Sequence, residues 1–288
     1  YGRAVVGVAR KYYTRNLTQT AEVKKLAGEI HASAEDVLNS VGVSKPGLDL
    51  TNKVHVTDLG QFAFSKWKIW INTSEWLSRL SVIQNYTNEE IQKFTYWTFI
   101  VGIADTIYHE SRHCEQWYRI ARFMGTPKKK GGLGKGATSI SNAMYIPKGT
   151  ARHAAKKNLG RTAIPEAKGW CQSVYPETLS TMSQSTKQSG VNVSGLDDRG
   201  LTYAIGALRK TTTRIKGQED GALSDIVQMR GHTGYHSLSE EVDAHYVGFE
   251  VQKKISGLID THYGITLGNL DSPPHAASLQ SRLSTMRV

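Results

Sequence analysis

Within Tyr108-His109-Glu110-Ser111-Arg112-His113-Cys114-Glu115-Gln116-Trp117 the chain carries His-Glu-x-x-His inside a run that reads as helix. Residues four apart on a helix lie one above the other, so His109 and His113 can offer two imidazoles to one metal ion. Glu110 sits about 100° round from His109, outside the ligand set but placed to hold a water at the metal. A Lewis acid, a water and an acid/base group would then meet in one place. The bland alternative is a pair of helix-face histidines packed on the core or bonded to carboxylates. Against it stands the preceding stretch, Phe94 to Ile107, which is apolar on nearly every side. That is the character of a central helix, and polar groups emerging from one must be satisfied.

Two imidazoles and waters make a weak zinc site, whereas three protein ligands and one open position make a catalytic one. The third donor is sought in Gly231-His-Thr-Gly-Tyr-His-Ser-Leu-Ser-Glu-Glu-Val-Asp-Ala-His-Tyr246. Ser237 and Glu240 have capping-box spacing, so a helix should start here, with Glu240, Glu241 and His245 in its first turns. Glu241 and His245 share a face, and a carboxylate in the first turn suits the helix dipole. On spacing alone the third ligand is open among Glu241, Glu240 and His245.

The elements that must position these groups can be read from periodicity. A helix is predicted from about Thr18 to Val41, where Val23, Leu26, Ile30, Val37 and Val41 recur at helical spacing, ended by Gly42 and the Ser44-Lys45-Pro46-Gly47 turn. The period then changes to alternation over Lys53–Thr57 and over Gln61–Asn72, read as two strands joined near Asp58-Leu59-Gly60. His55 in the first of these reads as a surface residue. Thr73-Ser74-Glu75 can cap a helix to about Gln84, and Thr87-Asn88-Glu89-Glu90 caps the long helix bearing His109 and His113, which should break at Gly125-Thr126-Pro127. Arg112 and Glu115 point off the metal face and tie the helix to neighbours. Weaker helices are expected over Ala151–Asn158, Pro176–Lys187 and Arg199–Thr212.

Composition is that of an ordinary globular chain: 39% hydrophobic and 21% charged over 288 residues, enough for one large domain or two small ones. The longest uncharged apolar run, Phe94–Ala104, is too short to cross a bilayer. The chain begins at Tyr1, and Ala4–Ala9 is no signal-peptide core, so it reads as a piece of something longer. Cys114 and Cys171 make neither a disulfide framework nor a thiolate zinc site; one bridge between them stays open. Of the formal net charge of +11, most comes from Lys128 to Lys168, with ten Lys/Arg against Glu166 alone. Its Lys128-Lys-Lys-Gly-Gly-Leu-Gly-Lys-Gly136 is no phosphate loop, because Gly136-Ala137 stands where Ser or Thr should come after the lysine. It reads as a flexible solvated loop, with an anionic polymer or membrane surface as the alternative partner.

His109-Glu-x-x-His113 followed far downstream by Glu241-Val-Asp-Ala-His245 resembles the zincin metallopeptidases of the glutamate-ligand type, whose second helix carries Glu-x-x-Ala-Asp or a close relative. The resemblance implies Zn2+ held by His109, His113 and Glu241. His245 stands where the family has its aspartate, so it would orient a zinc-bound histidine, serve as a fourth ligand or contact the substrate. Tyr235-His-Ser-Leu-Ser-Glu-Glu-Val-Asp-Ala also looks like the second motif of metallopeptidase-like domains of bacterial secreted effectors and polymorphic toxins, implying delivery outside the producing cell and a cognate inhibitor or immunity protein. The fold expected on this resemblance is α+β, predominantly helical and zincin-like, with a small antiparallel sheet beside the active helix. It would be a single catalytic unit: 1–125 with the sheet and motif helix, 126–170 as the basic loop and lid, and 171–288 as the helical part with the third ligand. Glu110 would be the general base in hydrolysis of a peptide or amide bond, with the oxyanion donor sought among Tyr235, His232 and His236 and Tyr235 preferred, and His236 standing with His245 and Glu240 as an alternative ligand or a partner to one. A second metal at His232 and His236 is disfavoured by Gly231 and Gly234. The competing readings are a catalytically silent binding module and a basic toxin module acting on nucleic acid or cell wall.

Overall fold

The computed structural model describes residues 1–13, 20–51, 59–84, 89–174, 239–265 and 267. In chain order its elements are helices α1 (Gly2–Tyr12) and α2 (Thr20–Ser40), strands β1 (Gly47–Thr51), β2 (Gly60–Ala63) and β3 (Lys68–Asn72), and helices α3 (Thr73–Gln84), α4 (Glu89–Gly125), α5 (Ala137–Met144), α6 (Lys148–Ala155), α7 (Ile164–Val174) and α8 (Ser239–Tyr263). Single 3-10 turns lie at Lys128–Lys130 and Arg161–Ala163. The fold is therefore mostly helical with one small sheet. No helix among the described residues is long and apolar enough to cross a membrane. The chain divides into two compact units, Tyr1–Glu115 with Ala244–Gln280 and Gln116–Asp243 with Ser281–Val288, and the seams at 115/116 and 243/244 fall inside α4 and α8.

In the first unit the sheet is mixed, not antiparallel. Its order is β1-β3-β2, with β1 parallel to β3 (Gly47 opposite Lys68) and β2 antiparallel to it (Phe62 opposite Ile69). The expected single strand Gln61–Asn72 is in fact a hairpin. Phe62 and Phe64 are even-numbered, whereas Trp67, Ile69 and Ile71 are odd, and a strand cannot change faces without interrupting its pleat. The interruption is a turn in which Lys66 N–H donates to Ala63 O and Trp67, at φ 54°, donates to Phe64 O. Strand β1 comes directly after Pro46 where a turn was expected, and Lys53–Thr57, with His55, lies outside the described residues. Asn72 then ends β3 and caps α3, its Oδ1 accepting from Glu75 N–H at 3.2 Å.

The sheet lies against α4, where a Cβ on Gly60 would stand 2.6 Å from Thr106 Cγ2. Trp76 of α3 donates its indole N–H to Leu59 O and meets Phe99 edge-on at 5.2 Å. Trp97, Ile100, Ile103, Ala104 and Ile107 are buried, so the apolar half of α4 is the core its composition predicted. Helix α1, where no helix was expected although Val5, Val8, Ala9 and Tyr12 recur at helical spacing, is tied to α4 by Tyr96, whose hydroxyl donates to Ala9 O at 2.7 Å.

In the second unit the glycine-rich segment, expected as a solvated loop, is folded back as a cap on α4. The last carbonyls of a helix lack intrahelical donors. Here Leu133 N–H donates to Phe123 O, Lys135 N–H to Met124 O at 2.7 Å, and Gly134 N–H to Thr126 O at 2.8 Å. Two of the turns that allow this need left-handed backbone, at Gly131 (φ 90°) and Gly134 (φ 65°), which is why glycine recurs. Ile120, Phe123, Ile140, Met144, Ala154 and Trp170 form the buried interior. The helix expected over Ala151–Asn158 is Lys148–Ala155. Those expected over Pro176–Lys187 and Arg199–Thr212 lie outside the described residues.

Candidate metal centre

On α4 the polar residues Asp105, His109, His113 and Gln116 recur at steps of four, four and three and so form one stripe along the helix. On α8 the matching stripe is Glu241, His245, Gly248 and Gln252. The contacts between them run in opposite directions along the two helices. Gln252 Nε2 donates to Asp105 Oδ2 at 2.7 Å, the rings of His109 and His245 are 4.6 Å apart, and Gln116 Nε2 donates to Glu240 O at 2.8 Å and to Asp243 Oδ2 at 2.7 Å. The helices are thus antiparallel neighbours, in register over the whole motif.

His109 Nε2 and His113 Nε2 are 3.1 Å apart. Tetrahedral zinc with bonds of about 2.0–2.1 Å to nitrogen sets its ligand atoms roughly 3.3–3.4 Å apart, so the pair already has the spacing of two ligands of one ion. One set of metal-competent donors stands out among the described residues: one atom each from His109, Glu241 and His245, all within 4.8 Å of one another. The donor set fits zinc chemically, being imidazoles and a carboxylate. His113 is outside that group of three but adjoins it through His109. Glu110, the expected base, is buried with 7% of its surface exposed, and Glu241 with 2%.

Glu240 is fully buried and is engaged through its carbonyl by Gln116. Tyr235, His232 and His236 lie outside the described residues, so their expected roles stay with the sequence. Arg112 and Glu115 form an ion pair with each other one turn apart on α4. Cys114 and Cys171 are both free and buried, which corrects the idea of a bridge between them. Burial pushes the Cys114 thiol well up and the Cys171 thiol up to about 12.

Two participants escaped the sequence reading. The Asp105 carboxyl is raised by burial, opposed by the Gln252 hydrogen bond and by His109. Gly248 makes the room for it, since a Cβ there would overlap Asp105 Oδ1 and come within 4.0 Å of His109 Cβ. A carboxylate one turn behind a metal-binding histidine is the kind of neighbour that fixes ring orientation. In the resembled family that carboxylate comes from the second helix, at the position His245 occupies. The signal was present: a lone Asp in an apolar helix, four residues before His109, and a Gly inside a helix where Ala would be worth about 1 kcal/mol more. Gln116, three residues beyond His113, could have been found by the same stripe. No protein-family profile, curated protein or solved structure matches the chain.

Proposed function

We propose that this chain is a zinc-dependent metallopeptidase that hydrolyses a peptide or amide bond, with Glu110 as general base. The observation that carries the reading is the donor set on α4 and α8: His109, Glu241 and His245 within 4.8 Å of one another, and His113 Nε2 3.1 Å from His109. Zinc, when bound, would polarise the scissile carbonyl and bring the pKa of a water near neutrality. His109 and Glu241 would hold it in every version of the site, with His113 and His245 supplying the remaining imidazoles. The Glu110 carboxylate, on the helix face next to His109, would take the proton the attacking water loses and deliver it to the departing amine. Asp105 would orient His109, and the bonds from Gln116 to Glu240 and Asp243 would hold the first turn of α8 in place. The likeness of the second motif to those of secreted effectors and toxins extends the proposal to a delivered protein acting on another cell's peptides.

The test joins metal content to cleavage. Elemental analysis of the purified chain is expected to find one zinc, lost in His109→Ala and in Glu241→Ala. Profiling against a peptide library is expected to find cleavage in the wild type and, at unchanged zinc content, a loss of at least about 10²-fold in Glu110→Gln. A chain that binds no zinc, or a Glu110→Gln variant that cleaves as well as the wild type, sinks the proposal.

A further inference from the structure

Charge in this molecule is segregated. Residues 116–174 hold twelve Lys/Arg and one acidic residue, Glu166, a surplus of eleven that equals the formal +11 of the entire chain; the rest has 24 basic and 24 acidic residues and is neutral. The single Glu166 is already paired, with Arg119 at 2.7 Å. Nine of the twelve cations are exposed, and none of these nine forms an ion pair with a described residue.

The fold collects them on ordered backbone. Lys128, Lys129 and Lys130 form one exposed 3-10 turn, closed by Gly131, whose missing side chain faces Ile164 at 3.5 Å. That sets the turn beside the start of α7, three residues after Arg161. Along α6 and its C-cap, Lys148, Arg152 and Lys156 recur every fourth residue on the exposed side, with Thr150, Ala151 and Ala154 buried beneath. Arg122 fixes the end of that helix by donating to Lys157 O and to Asn158 O at 2.7 Å. Like charges one turn apart cost a few tenths of a kcal/mol each, so this arrangement works against folding unless something anionic meets it.

The surface also says what kind of anion. Among the described residues the exposed large apolar side chains are Tyr13, Val41, Ile91 and Phe94, all outside 116–174. No large apolar side chain described there is exposed to serve as a stacking platform for unpaired bases or to dip into a bilayer. Seven of the nine exposed cations are lysines, point charges suited to phosphates and lacking the planar fork of arginine that favours bidentate recognition. We infer that residues 116–174 form a docking face for the phosphate backbone of duplex nucleic acid, binding without sequence preference. This face does not depend on the metal centre.

The test is fluorescence anisotropy of a labelled 30-base-pair DNA duplex with the full chain between 50 and 200 mM KCl. With six phosphates neutralised the log–log salt slope is about −5, a loss of roughly 10³-fold in affinity over that range. Lys128→Gln/Lys129→Gln/Lys130→Gln and Lys148→Gln/Arg152→Gln/Lys156→Gln should each flatten the slope by about 2–3 and weaken binding at least tenfold, with unchanged circular dichroism. Lys24→Gln/Lys25→Gln on α2 should change neither. No binding at 50 mM KCl, an unaltered slope in both triple variants, or tighter binding to single-stranded DNA or to phosphatidylserine vesicles than to the duplex overturns the inference.

Discussion

Replacing Gly248 with Ala tests whether the packing beside His109 is as tight as the geometry states. The new Cβ would overlap Asp105 Oδ1 and lie 3.5 Å from its Cγ, so the carboxylate must turn away from Gln252. Losing a hydrogen bond to a charged group costs about 1.5–3 kcal/mol and overpacking about 1–3. Set against these is a gain of about 1 kcal/mol in helix propensity. The net is a destabilisation of roughly 1.5–5 kcal/mol. Gly257, exposed on the same helix with nothing within 4 Å of its would-be Cβ, is the control, and Gly257→Ala should stabilise by about 0.5–1 kcal/mol. Urea midpoints of metal-free protein should therefore rank Gly257→Ala above wild type and wild type above Gly248→Ala. Asp105→Ala introduced into Gly248→Ala should recover part of the loss, because it removes the overlapping atom. Zinc affinity of Gly248→Ala should fall about 10–100-fold as His109 loses its orienting neighbour. If the two alanine variants are equally stable, the close approach of α8 to Asp105 is wrong, and with it the antiparallel register that assembles the donors.

Zinc titrations of His113→Ala and His245→Ala should both show weakened binding; full affinity in His245→Ala assigns that residue to substrate or to orientation, and full affinity in His113→Ala assigns the ion to His109, Glu241 and His245 alone. His31 is buried, and desolvation lowers its pKa below 6.5 against the raising effect of Glu35. Its contribution to stability is thus complete above pH 6.5 and lost as pH falls through the lower folded value, so urea midpoints should drop between pH 7.5 and 5.5 in wild type and drop less in His31→Leu. Both cysteines are buried with raised pKa values, so a disulfide-exchange reagent should label neither in the native state and both in urea; rapid native labelling would contradict their burial.

The features that the sequence disclosed and those it hid have a common cause. Apolar periodicity marked α2, and cap and breaker residues marked α3 and α4, each within about two residues of its ends, because a buried face and a helix terminus both leave a local trace. Pairing partners leave none: nothing local in Gly47–Thr51 announces a parallel neighbour at Lys68–Asn72. The phase change between Phe64 and Trp67 did announce the hairpin and was passed over in favour of one long strand. Glycine was read as flexibility in Gly131–Gly136, although it also permits the left-handed turns that bring amide groups back to a helix end. At the site, His109, Glu110 and His113 were legible because one helix carries all three. Asp105 and Gln116 were not, since a polar residue in an apolar helix reveals that it has a partner but not which one.

The stripe on α4 extends one turn beyond the donors at each end, and this separates folding from chemistry. Asp105 with Gln252, and Gln116 with Glu240 and Asp243, engage α8 without using His109, His113, Glu241 or His245. The ends of the register are therefore held by amide–carboxylate and amide–carbonyl bonds that need no cation, while the donors between them wait at 3.1 Å and within 4.8 Å. A metal entering such a framework meets donors that are already ordered, and less of its binding energy goes into arranging the chain. Structural zinc sites behave otherwise, because their metal supplies the folding energy itself. On the proposed reading, a zinc ion that the fold does not require would be there for what it does to a bound water.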